Sequence, residues 1–310
     1  MVALARKTLI YEWRRFLPAI LAVGFAGLLQ LLQAALVLGI FGSSSVYITG
    51  SSADLWVGYP GTQSVNLGRA IDNGVEMRLR MDPAVTKVEP FQWVDSDWRG
   101  PQDTGGVSVF VSGIDTRPDG MMFSKALSPE LRARLVEPDA VIVDRADLDN
   151  LGVGIGGVAA INGHRVRVVG VSSGLRALGG VNIVASLDTA RRIDTAPADS
   201  NRTTYFVARV ADPSQAHDIA RRLRGAASFG RYDVWTAKSF AHRSQMYWML
   251  DTGAGSPLLF LPFLFSLLPL LTPIHTPFSL SFASFSSFHS PPALLSRLCP
   301  PSLPLLAPAL

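Results

Sequence analysis

Cysteine is all but missing: the one thiol, Cys299, stands close to the C-terminal end. The rest of the chain therefore has no disulfide framework and no thiolate metal site, and a domain outside the cytoplasm has to be stable without staples. Lysine is scarce as well. None of Lys7, Lys87, Lys125 and Lys238 follows a glycine, no GxxxxGK[ST] occurs, and the chain is not itself a P-loop ATPase. Charge is thin, 17% of residues, and the net +4 comes from 28 basic and 24 acidic residues scattered along the chain. Without a basic tract or an arginine/aromatic stripe, nucleic acid is excluded as a partner. There is no HExxH; His164, His217 and His242 are isolated, with no second ligand at i+4. No GxSxG elbow occurs, and Ser43–Ser45 and Ser172–Ser173 sit in Gly/Ser turns with nothing to act as base and orienting acid. No catalytic, cofactor-binding or metal-ligating residue is assigned, and the chain does not read as an enzyme.

What is abundant is apolar sequence: 48% hydrophobic residues and a mean hydropathy of +0.27, high for a soluble protein. From Leu17 to Phe41 the chain carries no charge over 25 residues, enough at about 1.5 Å per residue to cross a hydrocarbon core of roughly 30 Å. Gln30 and Gln33, three apart, share one face of that helix and point to helical partners rather than lipid. A signal peptide is the rival reading. Its apolar core is normally about 7–15 residues long, and no clear small-x-small site precedes Gly42, which favours an uncleaved anchor. Arg6, Lys7, Arg14 and Arg15 precede the span and the first charge after it is Asp54. By the positive-inside rule the N-terminus is cytoplasmic and the chain from about Gly42 lies outside.

Residues 42 to about 240 have the pattern of an α+β domain. Strands are predicted over Val46–Thr49, Ala53–Val57, Val107–Ile114, Ala140–Asp144, Val181–Ala185 and Thr203–Val210. Helix starts are predicted at Ser128-Pro129-Glu130 and at Asp212-Pro213, the latter helix burying Ala216, Ile219, Ala220 and Leu223 and turning Arg221, Arg222 and Arg224 to water. Gly152, Gly154 and Gly157 spell GxGxxG, but the residues after them are β-rich and contain Asn162-Gly163, so the glycines lead into a hairpin and not into a phosphate-binding helix. Asp95, Asp97 and Asp103 cluster around Trp93 and Trp98 in what reads as a Pro/Gly-containing surface loop, with a bound cation or partner as the alternative.

Several pieces in this order resemble one family, the FtsX/MacB-type permease subunits of ABC transporters, and within it the DevC-like exporters. They are the basic lead Leu4–Ala19, the first apolar helix, Ser51–Gly68, the hairpin Leu151–Val171, and Tyr232–Gly255, which looks like the approach to a second membrane helix. The resemblance implies an N-terminal helix, a large periplasmic domain and three C-terminal helices. It also implies a dimer that recruits a separate cytoplasmic ATPase through a segment between the second and third helices, often with a periplasmic adaptor and an outer-membrane channel. Nothing recognisable as that cytoplasmic segment occurs here.

From Ser256 onward 44 of 55 residues are Ser, Pro, Leu or Phe, and Gly, Val, Asp, Glu, Lys, Asn and Gln vanish. Those four are the residues whose codons can begin with two pyrimidines, so the stretch looks like C/T-rich DNA read through. Five prolines between Pro257 and Pro277 argue against a membrane helix there. The expected organisation is a cytoplasmic lead (1–16), a transmembrane helix (17–41), a MacB-like periplasmic α+β domain (42–251) and an aberrant, frame-shifted tail (252–310) in place of further helices. The expected function is the permease subunit of an exporter in the bacterial inner membrane, unable to transport as written. Its partners would be the ATPase, a second copy, membrane lipid, and an adaptor and channel. The alternative is a single-span, membrane-anchored periplasmic binding or sensor domain.

Overall fold

The structure, a computed structural model of the whole chain, describes residues 11, 13–101, 105–195, 201–225 and 231–253. The long helix α1, Trp13–Ser44, contains a 25-residue stretch, Ile20–Ser44, long and apolar enough to cross a membrane. Ile20, Leu21, Phe25, Leu28, Leu31, Leu32, Leu36 and Leu38 are all exposed, as lipid-facing side chains are. Leu29–Phe260 forms one compact unit, and the part of α1 up to Leu28 lies outside it.

The domain is α+β, built on one nine-stranded sheet whose two halves differ. The strands are β1 (Leu55–Gly58), β2 (Ile71–Asp72), β3 (Val85–Arg99), β4 (Val107–Ile114), β5 (Ala140–Asp144), β6 (Val158–Ile161), β7 (His164–Ser172), β8 (Val181–Ser186), β9 (Arg202–Thr203), β10 (Tyr205–Val210) and β11 (Asp233–Thr236); β2 and β9 pair separately. In the open half, β11-β1-β10-β3 are antiparallel throughout. Alternation sends Leu55, Val57, Val88, Phe206, Ala208 and Val234 to one face and Trp56, Phe91, Tyr205, Val207 and Trp235 to the other. The aliphatic face is covered by α3 (Gly74–Arg80) and α7 (Ala216–Gly225), which contribute Val75, Leu79, Ile219 and Leu223.

The other half closes on itself. The order β3-β4-β8-β5-β7-β6 returns to β3 through Trp98↔Ile161 and Arg99↔Ala160, a six-stranded barrel. Its interior is filled by small branched side chains, among them Val94, Val109, Val111, Val141, Val143, Val168 and Ile183, with Trp98 at one end. Helix α6 (Leu187–Ile193) adds Ala190 and Ile193. Its close approach requires Gly113, where a Cβ would lie 2.5 Å from the Ala190 Cβ. The predicted hairpin is β6–β7, and Asn162 (φ 48°) and Gly163 (φ 83°) take the left-handed pair of a type I′ turn. The asparagine also fastens the seam. Its N–H donates to Asp97 O, its Oδ1 accepts from Asp97 N at 2.9 Å, and its Nδ2 donates to Ser96 Oγ and Ile193 O.

The helix starts fall where expected: Ser128 Oγ caps Leu131 N before α4 (Pro129–Ala133), and Asp212 Oδ1 accepts from Ser214 N one turn before α7. Two expectations are corrected. Val46–Thr49 is not a strand but a helical turn, α2, because Tyr47 and Ile48 go into the core and the hydroxyl of Thr49 returns to Ser45 O; packing overrides a β-rich composition. The aspartates around Trp93 and Trp98 are not in a loop. Asp95 and Asp97 lie on the outer face of β3, alternating with the buried Val94, Ser96 and Trp98. Asp103 and the tail from Ser256 lie outside the described residues.

Candidate functional site

Buried polar groups gather at the joint where α1 ends and α8 (Ala237–Met246) returns beside it. Ser43 donates to Gly39 O at 2.6 Å, and Ser44 and Ser45 to Phe41 O. These serines satisfy carbonyls that a helix end leaves unpaired. Helix α8 begins with Thr236 Oγ1 accepting from Ser239 N and packs Phe240 flat on Trp235, ring centres 4.8 Å apart. Trp56, Phe91, Tyr205 and Phe240 complete an aromatic core, each of these four rings meeting at least two others.

Four groups at the joint form a chain with one possible direction. Ser244 Oγ donates to Ser44 O at 2.6 Å, so its hydroxyl must accept the 2.9 Å bond from Ser64 Oγ, which in turn accepts from Trp248 Nε1 at 3.0 Å. Gln245 Nε2 reaches Phe41 O and Ser45 Oγ. Tyr205 OH holds the loop carrying Ser64 by donating to Val65 O at 2.8 Å. Burial of this phenol pushes its pKa up, so the hydroxyl stays a donor. Ser44, Ser45, Ser64 and Ser244 are all buried, where an unmade hydrogen bond costs about 1–3 kcal/mol. Beyond Met246 the helix widens into a π-turn, Tyr247–Asp251, and ends at Gly253 (φ 72°).

A second clamp holds α2 from the other side. Glu89, fully buried, accepts from Met121 N at 2.7 Å; its Oε1 lies 2.7 Å from Lys87 Nζ, an ion pair whose angles fall short of a hydrogen bond. Lys87 also donates to Asp119 Oδ2, and buried Arg132 donates to Asp115 O and Met122 O. The segment so pinned sends Met121 O to Ser52 N and Lys125 Nζ to Thr49 O. The chain leaving the apolar helix is thus gripped by both the strand β3 and the helix α8.

The histidines stand apart: His164 opens β7, His217 lies on α7 and His242 on α8. Among the described residues no three His, Cys, Asp or Glu side chains are grouped to hold a metal. The glycines Gly152, Gly154 and Gly157 precede the β6–β7 hairpin. Arg221, Arg222 and Arg224 are exposed and paired with Asp218, Asp82 and Asp233. The joint itself has no sequence motif. Its signal is indirect, in the cluster of serines after an apolar helix and a Tyr-Trp pair two hundred residues on.

No protein-family model matches the sequence, and no curated protein matches it. Among solved structures the chain is similar to the periplasmic region of MacB from Actinobacillus actinomycetemcomitans, with a TM-score of 0.44 and 11% identity over 63% of this chain and 94% of that one. It is also similar to the extracellular domain of the noncanonic ABC-type transporter YknZ from Gram-positive bacteria (TM-score 0.40, 13% identity, 59% of this chain and 100% of that one). A domain of a putative permease protein from Porphyromonas gingivalis gives a TM-score of 0.37 at 8% identity, covering 59% of this chain and 88% of that one. The α+β architecture behind an N-terminal apolar helix stands on the strands and helices themselves.

Proposed function

We propose that the chain is a permease subunit of an ABC-type exporter, of the FtsX/MacB type and its DevC-like branch. Its N-terminus lies in the cytoplasm and residues 42–251 on the periplasmic side of the inner membrane. The observation that carries this reading is the joint. The chain leaves an apolar helix at Ser44, builds a domain of about two hundred residues, and comes back through α8 to hydrogen-bond the same carbonyl. A domain that hangs from one anchor has no need to bring its C-terminal end back to the anchor. A domain inserted between the first and second membrane helices does. Work done on the membrane helices by a separate ATPase would enter the domain here, and no residue would be catalytic. A second copy of the chain, a periplasmic adaptor and an outer-membrane channel complete the assembly.

The same reading takes the change of alphabet at Ser256 as a change of reading frame, which leaves the chain as written unable to transport. Sequencing the locus tests both parts. An ATPase gene alongside and an intact downstream frame encoding three apolar helices support the proposal; an uninterrupted gene with this same tail removes the frame change. Co-purification of that ATPase with the frame-restored chain tests the partnership, and export by the chain without repair overturns its inactivity.

A membrane-anchored binding domain is the second reading, favoured by an open groove of about 600 Å³ between α3 and α7, lined by Met77, Arg78, Met81, Pro83 and Leu223. A small ligand that raises the melting temperature of the wild-type chain but not of Met77→Glu would favour it.

A further inference from the structure

The loop after β1 has a second face. Ser64, inside it, is bonded to Ser244 and Trp248 and so sits level with the end of α1. In the same loop Pro60, Gly61, Gln63, Leu67 and Arg69 are exposed. At its root the Arg69 guanidinium lies 5.4 Å over the centre of the Tyr59 ring. Arg231, just ahead of β11, comes from the neighbouring strand because Gly58 pairs with Asp233. Arg231 first, and Arg69 with it, draw the Tyr59 phenol below its ordinary pKa. One cation thus lies over the Tyr59 ring, and a second stands at the start of the neighbouring strand. Among the described residues neither has a carboxylate at ion-pair distance, and the nearest acid in sequence, Asp233, is engaged by Arg224 and by Val234 N. Other arginines are neutralised, Arg80 by Glu76, Arg117 by Asp115, Arg192 by Asp139 and Arg222 by Asp82, whereas the exposed Arg99, Arg145, Arg165 and Arg191 have no carboxylate partner among the described residues but are not tied through their loop to the end of α1.

We propose that Arg69 and Arg231, with Tyr59 between them and Leu67 beside them, dock on the phosphate of an anionic lipid headgroup in the leaflet on which the domain rests. Charge complementarity selects the occupant. The arginine fork fits phosphate oxygens, tyrosine is at home where apolar and wet regions meet, and an exposed leucine on the same loop faces acyl chains at no cost. The height is set by the joint, since Ser64 is tied to the last turn of the apolar helix, where a membrane surface must lie. This rests on the reading that Ile20–Ser44 crosses a membrane. The headgroup contact would fix the tilt of the domain over the bilayer.

The test uses the full chain in detergent, titrated with short-chain phosphatidylglycerol, short-chain phosphatidylcholine and inorganic phosphate. The expected result is tighter binding of phosphatidylglycerol. Each arginine is worth roughly fivefold near a charged surface, so Arg69→Gln/Arg231→Gln should lose most of the preference while Arg69→Lys/Arg231→Lys retains much of it. For the wild-type chain, raising the salt from about 0.05 to 0.5 M should erase the preference, a check that needs no variant. Equal binding of the two lipids, or a double-glutamine variant of unchanged melting temperature that keeps the preference, overturns the proposal. Full competition by inorganic phosphate also overturns it, by making this a soluble-anion site. Carbonate extraction separates the two failures. A chain that stays in the membrane but shows no headgroup preference refutes the docking alone, whereas a chain that is extracted refutes the anchor.

Discussion

The two ends of β3 lie in different environments. From Val85 to Phe91 the strand pairs with β10 in an open sheet, one face covered by helices and the other by Trp56, Tyr205, Trp235 and Phe240. From Gln92 to Arg99 it is a stave of a barrel filled with valine and isoleucine. The aliphatic barrel closes by hydrogen bonds between strands and needs few side-chain contacts to specify it. The open half must receive two chain segments from the apolar helix and α8, and it uses directional groups: buried serines, a buried carboxylate and large rings with fixed orientations. A polar group in a core narrows the arrangements that core can take; at the joint such groups tie two chain segments together, while in the barrel half Ser112, Asn182 and Asp144 bond within the sheet and its adjoining loop.

The sharpest way to break this contrast is Glu89→Ala. It strands Met121 N in the core and takes one of two carboxylates from Lys87, which keeps Asp119, a loss of about 3 kcal/mol at the upper end for an unmade buried hydrogen bond, read as a fall in the denaturant midpoint of the detergent-solubilised chain. Hydrogen exchange should quicken in residues 115–127 and α2 while β5 and β8 stay protected; equal loosening of the barrel would erase the distinction between the halves. Next is Ser244→Ala, which leaves Ser44 O without its donor and the Ser64 hydroxyl proton without its acceptor, at about 1–3 kcal/mol. Its mark is faster exchange at the end of α1, and no change there would mean the two helices are held by packing alone. On the barrel side, Asn162→Gly keeps a residue suited to positive φ but removes three side-chain bonds across the seam. Water can replace part of these at this half-exposed site, so the expected loss is about 1 kcal/mol, with exchange rising in β6 and not in α8.

The smallest effect is a slope. Asp147 is buried; its Oδ1 meets Arg176 Nε at 3.2 Å and its Oδ2 has no partner among the described residues. Burial raises its pKa, Arg176 opposes, and Asp144 adds to the rise. The folded state therefore keeps a proton that the unfolded chain has released. Stability falls as pH climbs from the ordinary carboxylate range through the raised folded value, then levels. Asp147→Asn should flatten the part of the melting-temperature profile that lies just above the ordinary carboxylate range, and an unchanged profile would assign the slope to other acids.

Local chemistry makes much of the domain legible. Val107–Ile114 and Ala140–Asp144 are strands to the residue, Ser128 and Asp212 cap the helices they precede, and Asn162-Gly163 turns as its dipeptide demands. What stays hidden is set by partners far along the chain. Val46–Thr49 has strand-forming residues, but Tyr47 and Ile48 find their cavity only once Phe91 and Phe123 are in place. β3 is concealed by Pro90 and two aspartates; the proline sits where the strand needs no ladder donor, and alternation from Val94 to Trp98 is the signal available. The joint is invisible for the same reason, because Ser44, Ser64 and Ser244 are ordinary until the fold makes them neighbours.

At about 3.3 Å per residue, the stretch of β3 from the pinned Glu89 to the barrel seam at Trp98 makes a beam of roughly 30 Å. Because the same backbone belongs to both hydrogen-bonded halves, neither can slip its register without carrying the other. A tilt of about 5° imposed at Glu89 would therefore arrive at Trp98 as a displacement of about 2.5 Å, carried by the strand that both halves share.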